Sequence, residues 1–211
     1  MHNSEKIDAI KKWIGTGSIN IFGRPLAGKD YQGQQLAKLL DGNLIIGGDI
    51  LRGDNMPDFI KENMKTGELT PTEDYKKIVL PYLNQSNLIG KPLILSSVGR
   101  WHGEEEPVIK ASQESGHPFK IAIYLDIPDS EVYVRIQQPK LKNDRPNRHD
   151  DSVDLLKIRF DEFNKKTLPV IDYYRNLNML IEINATQSRE KVTDDIISEL
   201  YNQASHASTS Q

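Results

Sequence analysis

A short stretch from residue 20 to residue 40, NIFGRPLAGKDYQGQQLAKLL, constrains the fold more than any other part of this 211-residue chain. It combines an apolar strand, a loop of glycine and proline, and an amphipathic helix. Gly23 to Lys29 fits the pattern GxxxxGK, in which backbone N–H groups and the helix start bind a polyphosphate and the lysine adds a movable charge. The alternative is a Gly/Pro turn with an exposed lysine. The flanking strand and helix favour the phosphate loop.

The rest of the chain repeats this alternation of strands and helices. Five apolar stretches predict strands: SINIF from residue 18, NLIIGG from 43, KPLILSS from 91, FKIAIYLDI from 119 and NMLIEIN from 178. Strands that alternate with helices are typical of parallel sheets with right-handed crossovers. The sequence therefore predicts an α/β fold with a five-stranded parallel sheet flanked by helices.

The order of the elements suggests one domain with additions. Residues 1–17 are predicted to form an extra N-terminal helix, and residues 18–202 the single domain. Two successive helices interrupt the alternation, so residues 49–87 are interpreted as a small helical insertion. The polar segment 137–149 contains two prolines and predicts a short lid, and the polar tail 203–211 is expected to be disordered. The core then consists of residues 18–48, 88–136 and 150–202.

Composition excludes several classes of protein. The formal net charge of −3 gives no basic field for a nucleic acid or an anionic membrane, so neither partner is expected. The chain has no cysteine, and its five histidines lack HExxH-like spacing, which argues against a dedicated transition-metal site. No apolar run approaches the roughly 20 residues of a membrane span. We expect a monomeric cytoplasmic protein that binds small anions.

Further motifs, in the same order and at similar spacing, resemble those of the adenylate kinase family of nucleoside monophosphate kinases. GRPLAGKDYQGQQLA is similar to that family's GxPGxGKGTQA, GGDILR to TGDMLR, KTGELTPTE to GELVPDE, and LILSSVGR to LLDGFPR. IYLDIPDSEVYVRI and RHDDSVDLLKIRFDEFNKKTLPVIDYYRN resemble its later motifs. The likeness runs from Ser18 to Leu200 and implies a P-loop NTPase fold, with the insertion binding the nucleoside monophosphate (NMP). The chain is identified as a divergent member.

The resemblance also implies an activity and a set of site residues. The expected reaction moves the γ-phosphoryl of ATP to an NMP, with Mg²⁺ as cofactor; the family reaction is ATP + AMP = 2 ADP. Implied catalytic residues are Lys29, Arg100, Arg148 and Arg159. The implied ATP-binding residues are Gly23, Pro25, Ala27, Gly28, Lys29, Asp30, Tyr31 and Arg135. The implied NMP-binding residues are Gly48, Asp49, Arg52, Arg100 and Glu104. Phosphoryl transfer depends mainly on positioning and on cations that stabilise developing charge, which suits such arginines.

Two departures from the family pattern concern the metal and the acceptor base. Ser96 stands where the family has an aspartate that orients Mg²⁺, and we interpret Asp30 as taking over part of that role, because hard cations prefer oxygen ligands. The structural alternative is that Asp30 only interacts with the helix dipole. Glu104 stands where the family has a glutamine that reads adenine. A carboxylate only accepts hydrogen bonds, so GMP or another donor-rich acceptor is expected to compete with AMP. In the alternative, Glu104, Glu105 and Glu106 form an acidic first helical turn.

A second class of function remains open at this point. The chain could be a degenerate nucleotide-binding regulatory module that has lost turnover. Ser96 and Asp30 favour the module. Lys29 and the arginines favour the enzyme, because a protein that only binds nucleotide does not need groups that stabilise a transition state.

Overall fold

The computed structural model describes residues 3–138 and 153–209. The chain begins with helix α1 (Asn3–Ile14), strand β1 (Ser18–Gly23), helix α2 (Lys29–Leu40) and strand β2 (Asn43–Ile46). Three helices follow, α3 (Gly47–Leu51), α4 (Asp58–Thr66) and α5 (Thr72–Val79), and then two short 3-10 turns, Leu80–Asn84 and Ser86–Leu88. These elements form the predicted helical insertion between the second and third strands.

The second half returns to alternation. It contains β3 (Leu93–Ser96), α6 (Glu105–Glu114), β4 (Phe119–Asp126) and α7 (Asp129–Ile136). After the undescribed residues come α8 (Val153–Glu162), a π-helical turn (Phe163–Thr167), α9 (Leu168–Asn176), β5 (Leu180–Asn184) and α10 (Arg189–Thr209). Most of the predicted lid, including Arg148, lies outside the described residues.

The five strands form one parallel sheet in the order β2-β3-β1-β4-β5, which confirms the predicted fold class. In the register of the sheet, Ile21 of β1 and Ile46 of β2 both lie beside Ser96 at the end of β3. The phosphate loop, the start of the insertion and the segment after β3 therefore leave the sheet at the same edge. Ligands of open parallel sheets bind at this carboxyl-terminal edge.

Buried side chains cover both faces of the sheet. Every residue of β1 is buried, as expected for a central parallel strand. One apolar cluster joins the sheet to α1, α2 and α10 and includes Ile10, Ile14 and Leu200. An aromatic cluster on the other side includes Phe22, Phe163 and Tyr174. A third cluster packs the insertion against β3. The core therefore extends from the sheet into the insertion.

The C-terminal tail differs from the prediction. Helix α10 continues to Thr209, so the expected disorder of residues 203–211 is wrong for residues 203–209. Ala204 is buried and extends the stripe that Ile197 and Leu200 bury against the core. The Ser205 and Ser208 hydroxyls donate to backbone carbonyls one turn earlier, which satisfies these polar groups within the helix.

In the described part of the chain, none of the helices combines the length and the apolar character that a membrane crossing requires.

Candidate active site

A cavity of about 1250 Å³ lies at the carboxyl-terminal edge of the sheet. Its walls come from the phosphate loop and the start of α2, from the insertion, from the segment after β3, and from the starts or ends of α8 and α10. Among the predicted site residues, those that line it are Pro25, Gly28, Lys29, Asp30, Tyr31, Gly48, Asp49, Arg52, Arg100, Glu104 and Arg159. The cavity thus brings together predicted residues as distant in the chain as Pro25 and Arg159.

Two features of the backbone shape the phosphate loop: residues with positive φ angles and a close approach to β4. Gly28, which precedes α2, has φ of 95°, and Leu26 has φ of 62°, a left-handed conformation that is costly for a leucine. At Gly23 a Cβ atom would lie 2.8 Å from the Leu125 carbonyl oxygen, so the loop approaches β4 as closely as glycine permits. Gly23 and Ala27 do not line the cavity. They lie close to each other in the loop, on the side away from the cavity lining.

The loop lysine lies at the first position of α2. Its Nζ donates to the Arg24 carbonyl oxygen at 2.9 Å, which keeps the ammonium group against the loop. Helix α2 also directs its N-terminus at the cavity, where the helix dipole favours an anion. The loop therefore offers a lysine and a helix N-terminus to the same ligand.

Asp30 and Ser96 are in direct contact. The buried Ser96 hydroxyl at the end of β3 donates to Asp30 Oδ1 at 2.7 Å. This bond places the carboxylate of the first turn of α2 beside the position where the aspartate of the family motif would lie. Both groups present oxygen atoms, which suit Mg²⁺. Among the described residues, no group of three or more His, Cys, Asp or Glu side chains is placed to hold a metal ion.

Arg100 and Arg159 both line the cavity. Burial and, to a smaller extent, the positive charge of Arg159 lower the pKa of Arg100 to about 10, against the opposing effects of Tyr75, Glu162 and Glu104. Two guanidinium groups that repel each other in a partly desolvated site are stabilised by an anion between them. The pair therefore has the electrostatic character of a phosphate site.

Arg52 lies on the insertion side of the cavity and forms an ion pair with Asp49, Nη2 to Oδ1, at 2.5 Å. A Cβ atom on Gly48 would approach the Arg52 guanidinium to 3.0 Å, so Gly48 leaves room for that side chain. These three predicted residues are thus packed on one another at the start of the insertion.

Arg135 does not line the cavity. Its guanidinium donates to the Leu26 and Ala185 carbonyl oxygens at 3.0 and 2.5 Å, and its Nε pairs with Glu131 at 2.9 Å. This geometry ties the phosphate loop to α7 and to the loop after β5. A binding role of Arg135 toward the donor base stays a prediction, and so does the role of Arg148.

Glu104 is 2% exposed and lies in the wall of the cavity. Its Oε2 accepts from the Trp101 backbone N–H at 3.0 Å. Burial raises the pKa of Glu104, and hydrogen bonds from the Trp101 backbone and from Thr72 partly offset the shift. Glu105, also buried, accepts from the Gly103 backbone N–H at 2.6 Å and pairs with His102. The two acids therefore hold the turn that follows Arg100 and have distinct partners.

A chain of contacts joins this turn to the insertion. Glu162 Oε2 accepts from the Leu69 backbone N–H at 2.8 Å and from Lys166 Nζ at 2.6 Å. Lys166 in turn lies 3.7 Å from the centre of the Trp101 ring, a cation–π contact. The Thr167 hydroxyl donates to the Arg100 carbonyl oxygen at 2.9 Å. The π-helical turn thus holds the backbone of Arg100 through the Thr167 hydroxyl.

Several residues of the site were missed by sequence reasoning, namely Thr70, Tyr75, Ser97, Trp101 and Arg189, all of which line the cavity. Arg189 lies over the Tyr31 ring at 4.9 Å. Thr70 lies inside the quoted motif KTGELTPTE and Tyr75 lies two residues after it, so the motif was the available signal for both. Their burial depends on tertiary packing and has no local signature.

Comparison with known proteins identifies the family. A family model described as adenylate kinase matches residues 21–179, well over half of the chain. The chain belongs to the adenylate kinase family. Similar proteins include adenylate kinases from Cyanothece sp. (strain PCC 7425 / ATCC 29141), 29% identical over 83% of this chain and 91% of the relative, and from Methanococcoides burtonii, 27% identical over 85% and 96%. The adenylate kinase of Prochlorococcus marinus (strain AS9601) is 29% identical over 83% and 93%.

Family membership makes this chain an enzyme, a nucleoside monophosphate kinase that catalyses phosphoryl transfer and binds nucleotides. The comparisons support this function, and they give no support to the regulatory module without turnover.

Proposed function

We propose that this adenylate kinase family member transfers the γ-phosphoryl group of Mg²⁺-bound ATP to a nucleoside monophosphate inside the cavity described above. The observation that carries the proposal is that Arg100, Arg159, Lys29 and the N-terminus of α2 all line one cavity. A phosphoryl group in transit carries charge on its equatorial oxygens, and fixed cations around it lower the barrier.

The two substrates occupy opposite ends of the cavity in this proposal. The phosphate loop with Lys29 binds the phosphates of ATP, since backbone N–H groups, the helix N-terminus and the lysine all favour the same anion. Arg52 binds the phosphate of the acceptor after exchanging its ion pair with Asp49 for that phosphate. Arg100 and Arg159 lie between them and stabilise the group that moves. The attacking acceptor oxygen and the leaving oxygen of ATP are then roughly in line.

The remaining site residues have supporting roles in the proposal. Pro25, Gly28 and Tyr31 contact the donor, and Gly48, Asp49 and Glu104 the acceptor, because they line the corresponding ends of the cavity. Gly23, Ala27 and Arg135 shape the phosphate loop through backbone contacts. Arg148 would close over the transferring group from the lid. We further propose that the protein acts as a monomer in the cytoplasm.

Asp30 and Ser96 fit the magnesium ion that ATP carries. The bound ion would neutralise phosphate charge. We propose that Asp30 orients it, directly or through water, and that Ser96 fixes the carboxylate through their 2.7 Å hydrogen bond. A carboxylate next to a polyphosphate is repulsive unless a cation lies between them. Asp30 therefore makes tight nucleotide binding depend on the metal.

The Asp30→Asn variant tests this role by calorimetry of ADP binding with and without Mg²⁺. In the parent, Mg²⁺ should strengthen binding about tenfold or more, the effect of a charge-assisted contact. In Asp30→Asn the enhancement should shrink, and binding without metal should improve because the repulsion is gone. Ser96→Ala, which keeps the carboxylate, should retain most of the enhancement. An identical metal effect in Asp30→Asn and parent would leave Asp30 a purely structural role.

The function itself is tested by a coupled assay with ATP, Mg²⁺ and each common nucleoside monophosphate in turn. We expect formation of the two diphosphates with at least one acceptor, saturable in both substrates. Absence of transfer to every acceptor, with ATP binding intact, would favour the regulatory module instead.

A further inference from the structure

Arg24 occupies a variable position of the phosphate loop, between Gly23 and Pro25, and the family resemblance assigns it no role. It does not line the cavity. Its side chain is nevertheless only 16% exposed, so the loop keeps a long cationic side chain largely out of water. Burying a charge and ordering a flexible side chain are both costly, so the residue needs partners that compensate for them.

The Arg24 guanidinium has two polar partners on β4 and α7. Its Nε donates to Asp129 Oδ1 at 2.6 Å, and its Nη1 donates to the Tyr124 hydroxyl at 2.9 Å. That hydroxyl in turn donates to Asp126 Oδ1 at 2.8 Å. Burial alone lowers the pKa of Arg24, but the hydrogen bonds and charges of Asp129 and Tyr124 raise it above its ordinary value. The cation is therefore held by β4 and by the start of α7.

The π-helical turn supplies further contacts to the same guanidinium. The group lies over the Phe163 ring, 5.0 Å from its centre, and Nη2 donates to Asn164 Oδ1 at 3.4 Å. Phe163 is fully buried in the aromatic cluster, so its ring is a fixed surface. Arg24 thus contacts three separate elements, and a shift of its backbone would disturb contacts with all of them.

The main chain of Arg24 contacts the loop lysine. Its carbonyl oxygen accepts from Lys29 Nζ at 2.9 Å. An ammonium group has three N–H donors, so this bond is compatible with bonds to phosphate oxygens. A lysine carries its charge at the end of a flexible stem, and the carbonyl limits where that charge can lie. Because the side chain and the carbonyl belong to one residue, holding the first also fixes the second.

We propose that Arg24 is a positioning residue for Lys29. Its side chain, held by Asp129 and Tyr124, fixes the carbonyl that places the ammonium group, and Arg24 itself does not contact the nucleotide. A cation that is already in place costs no reorganisation when charge develops on the phosphates. The inference rests on the proposed function, because it acts through the lysine that binds the donor phosphates there.

A double-mutant cycle measures whether Arg24 acts through Lys29. Calorimetry gives the affinity for AMP-PNP with Mg²⁺, an ATP analogue that is not transferred, of the parent, Arg24→Met, Lys29→Met and the double variant. Arg24→Met keeps an apolar stem and removes the charge, and it should weaken binding about fivefold to tenfold, the worth of one charge-assisted hydrogen bond. In the Lys29→Met background the same substitution should change the affinity by less than about twofold, because the group that it positions is gone.

Steady-state kinetics add a readout that a general loss of stability would not produce. Arg24→Met should lower kcat about tenfold or more while the KM of the acceptor stays near the parent value, since the acceptor end lies on the insertion side of the cavity. Arg24→Lys keeps a cation for Asp129 but lacks the forked geometry, so it should recover part of kcat. Arg175→Met removes an arginine that pairs with Asp172 and Glu182 and does not line the cavity, and this control should leave affinity and kcat unchanged. Thermal unfolding confirms that each variant is folded.

An equal effect of Arg24→Met with and without the Lys29 side chain would overturn the inference, as would an unchanged affinity in Arg24→Met. Both outcomes leave the proposed function intact, because they concern binding and not turnover. If Lys29→Met bound AMP-PNP as tightly as the parent, the role of Lys29 in the proposed function and this inference would both be wrong. A parent that shows the expected coupling and transfers no phosphoryl group would contradict the proposed function alone.

Discussion

Glu104, which is predicted to bind the acceptor, has a buried carboxyl group that lowers the stability of the folded protein when it is ionised. Burial raises the pKa of its carboxyl group in the folded protein above the unfolded value of about 4.3. The folded state therefore holds this proton to higher pH than the unfolded state does. Stability is lost as pH rises from the unfolded pKa through the folded one, and the loss persists at neutral pH.

Glu104→Gln should consequently raise the thermal midpoint at pH 7, and the gain should disappear below about pH 4, where both states of the parent are protonated. Differential scanning calorimetry across pH 3.5–8 measures this. The exposed Glu106→Gln should show no comparable gain. A Glu104→Gln protein less stable than the parent at pH 7 would mean that the carboxylate is stabilised in the fold.

The site residues that were predicted from the sequence are those that a local motif identifies. Lys29 and Asp30 follow a recognisable loop, and Arg100 and Arg159 stand at fixed positions in longer motifs. Tyr75 carries no such signal, because it becomes buried in the cavity wall, where its hydroxyl accepts from the Gly99 N–H, only when the insertion packs on the segment after β3. Burial of a polar atom is a property of tertiary structure.

Among the elements, the π-helical turn from Phe163 to Thr167 contacts the backbone of Arg100. Such turns occur frequently at functional sites. Here it directs the Thr167 hydroxyl at the Arg100 carbonyl oxygen and Lys166 at the Trp101 ring. It therefore holds the arginine from the side opposite the cavity. Apolar periodicity in the sequence predicts a helix here but cannot reveal the inserted residue.

Thr167→Val tests this support, because it removes the donor and keeps the shape. Loss of one buried hydrogen bond should lower the free energy of unfolding by about 1 kcal/mol. The KM of the acceptor should rise severalfold, since Arg100 is less firmly placed, while the KM of ATP stays near the parent value. Urea unfolding measures the free energy of unfolding, and initial rates measure the KM of the acceptor and the KM of ATP. The exposed Thr186→Val serves as control. An equal rise in both KM values would indicate general loosening of the fold.

On the scale of the whole molecule, α1 is part of the core. Ile10 and Ile14 are fully buried in the cluster that includes α10, so the N-terminal helix packs against the C-terminal one. The sequence predicted the helix and the parallel sheet correctly from periodicity. It could not predict the strand order or the helical tail, because both depend on contacts between distant segments.

Ile10→Ala should therefore destabilise the protein by about 2–5 kcal/mol, the usual cost of a cavity in a packed core. Because Ile10 is remote from the cavity lining, kcat at a temperature where the variant is folded should remain close to the parent value. Denaturant titration and initial rates measure the two effects. Lys11→Ala, on the exposed side of α1, should change neither. If Ile10→Ala lowered the free energy of unfolding only slightly, α1 would be an appendage and not part of the core.

We expect this molecule to move a phosphoryl group from ATP to an acceptor and to use the loop lysine, Lys29, to do so. The most direct measurement follows the label from γ-³²P-ATP into the nucleoside diphosphate, for the parent and for Lys29→Met side by side. The label should appear at the β-position of the acceptor-derived diphosphate with the parent. With Lys29→Met it should be nearly absent, although the fold is intact, because the lysine contacts charge that develops during transfer. The exposed Lys38→Met should behave as the parent. Full label transfer by Lys29→Met would contradict the role of the lysine, and no transfer by the parent with any acceptor would contradict the kinase activity.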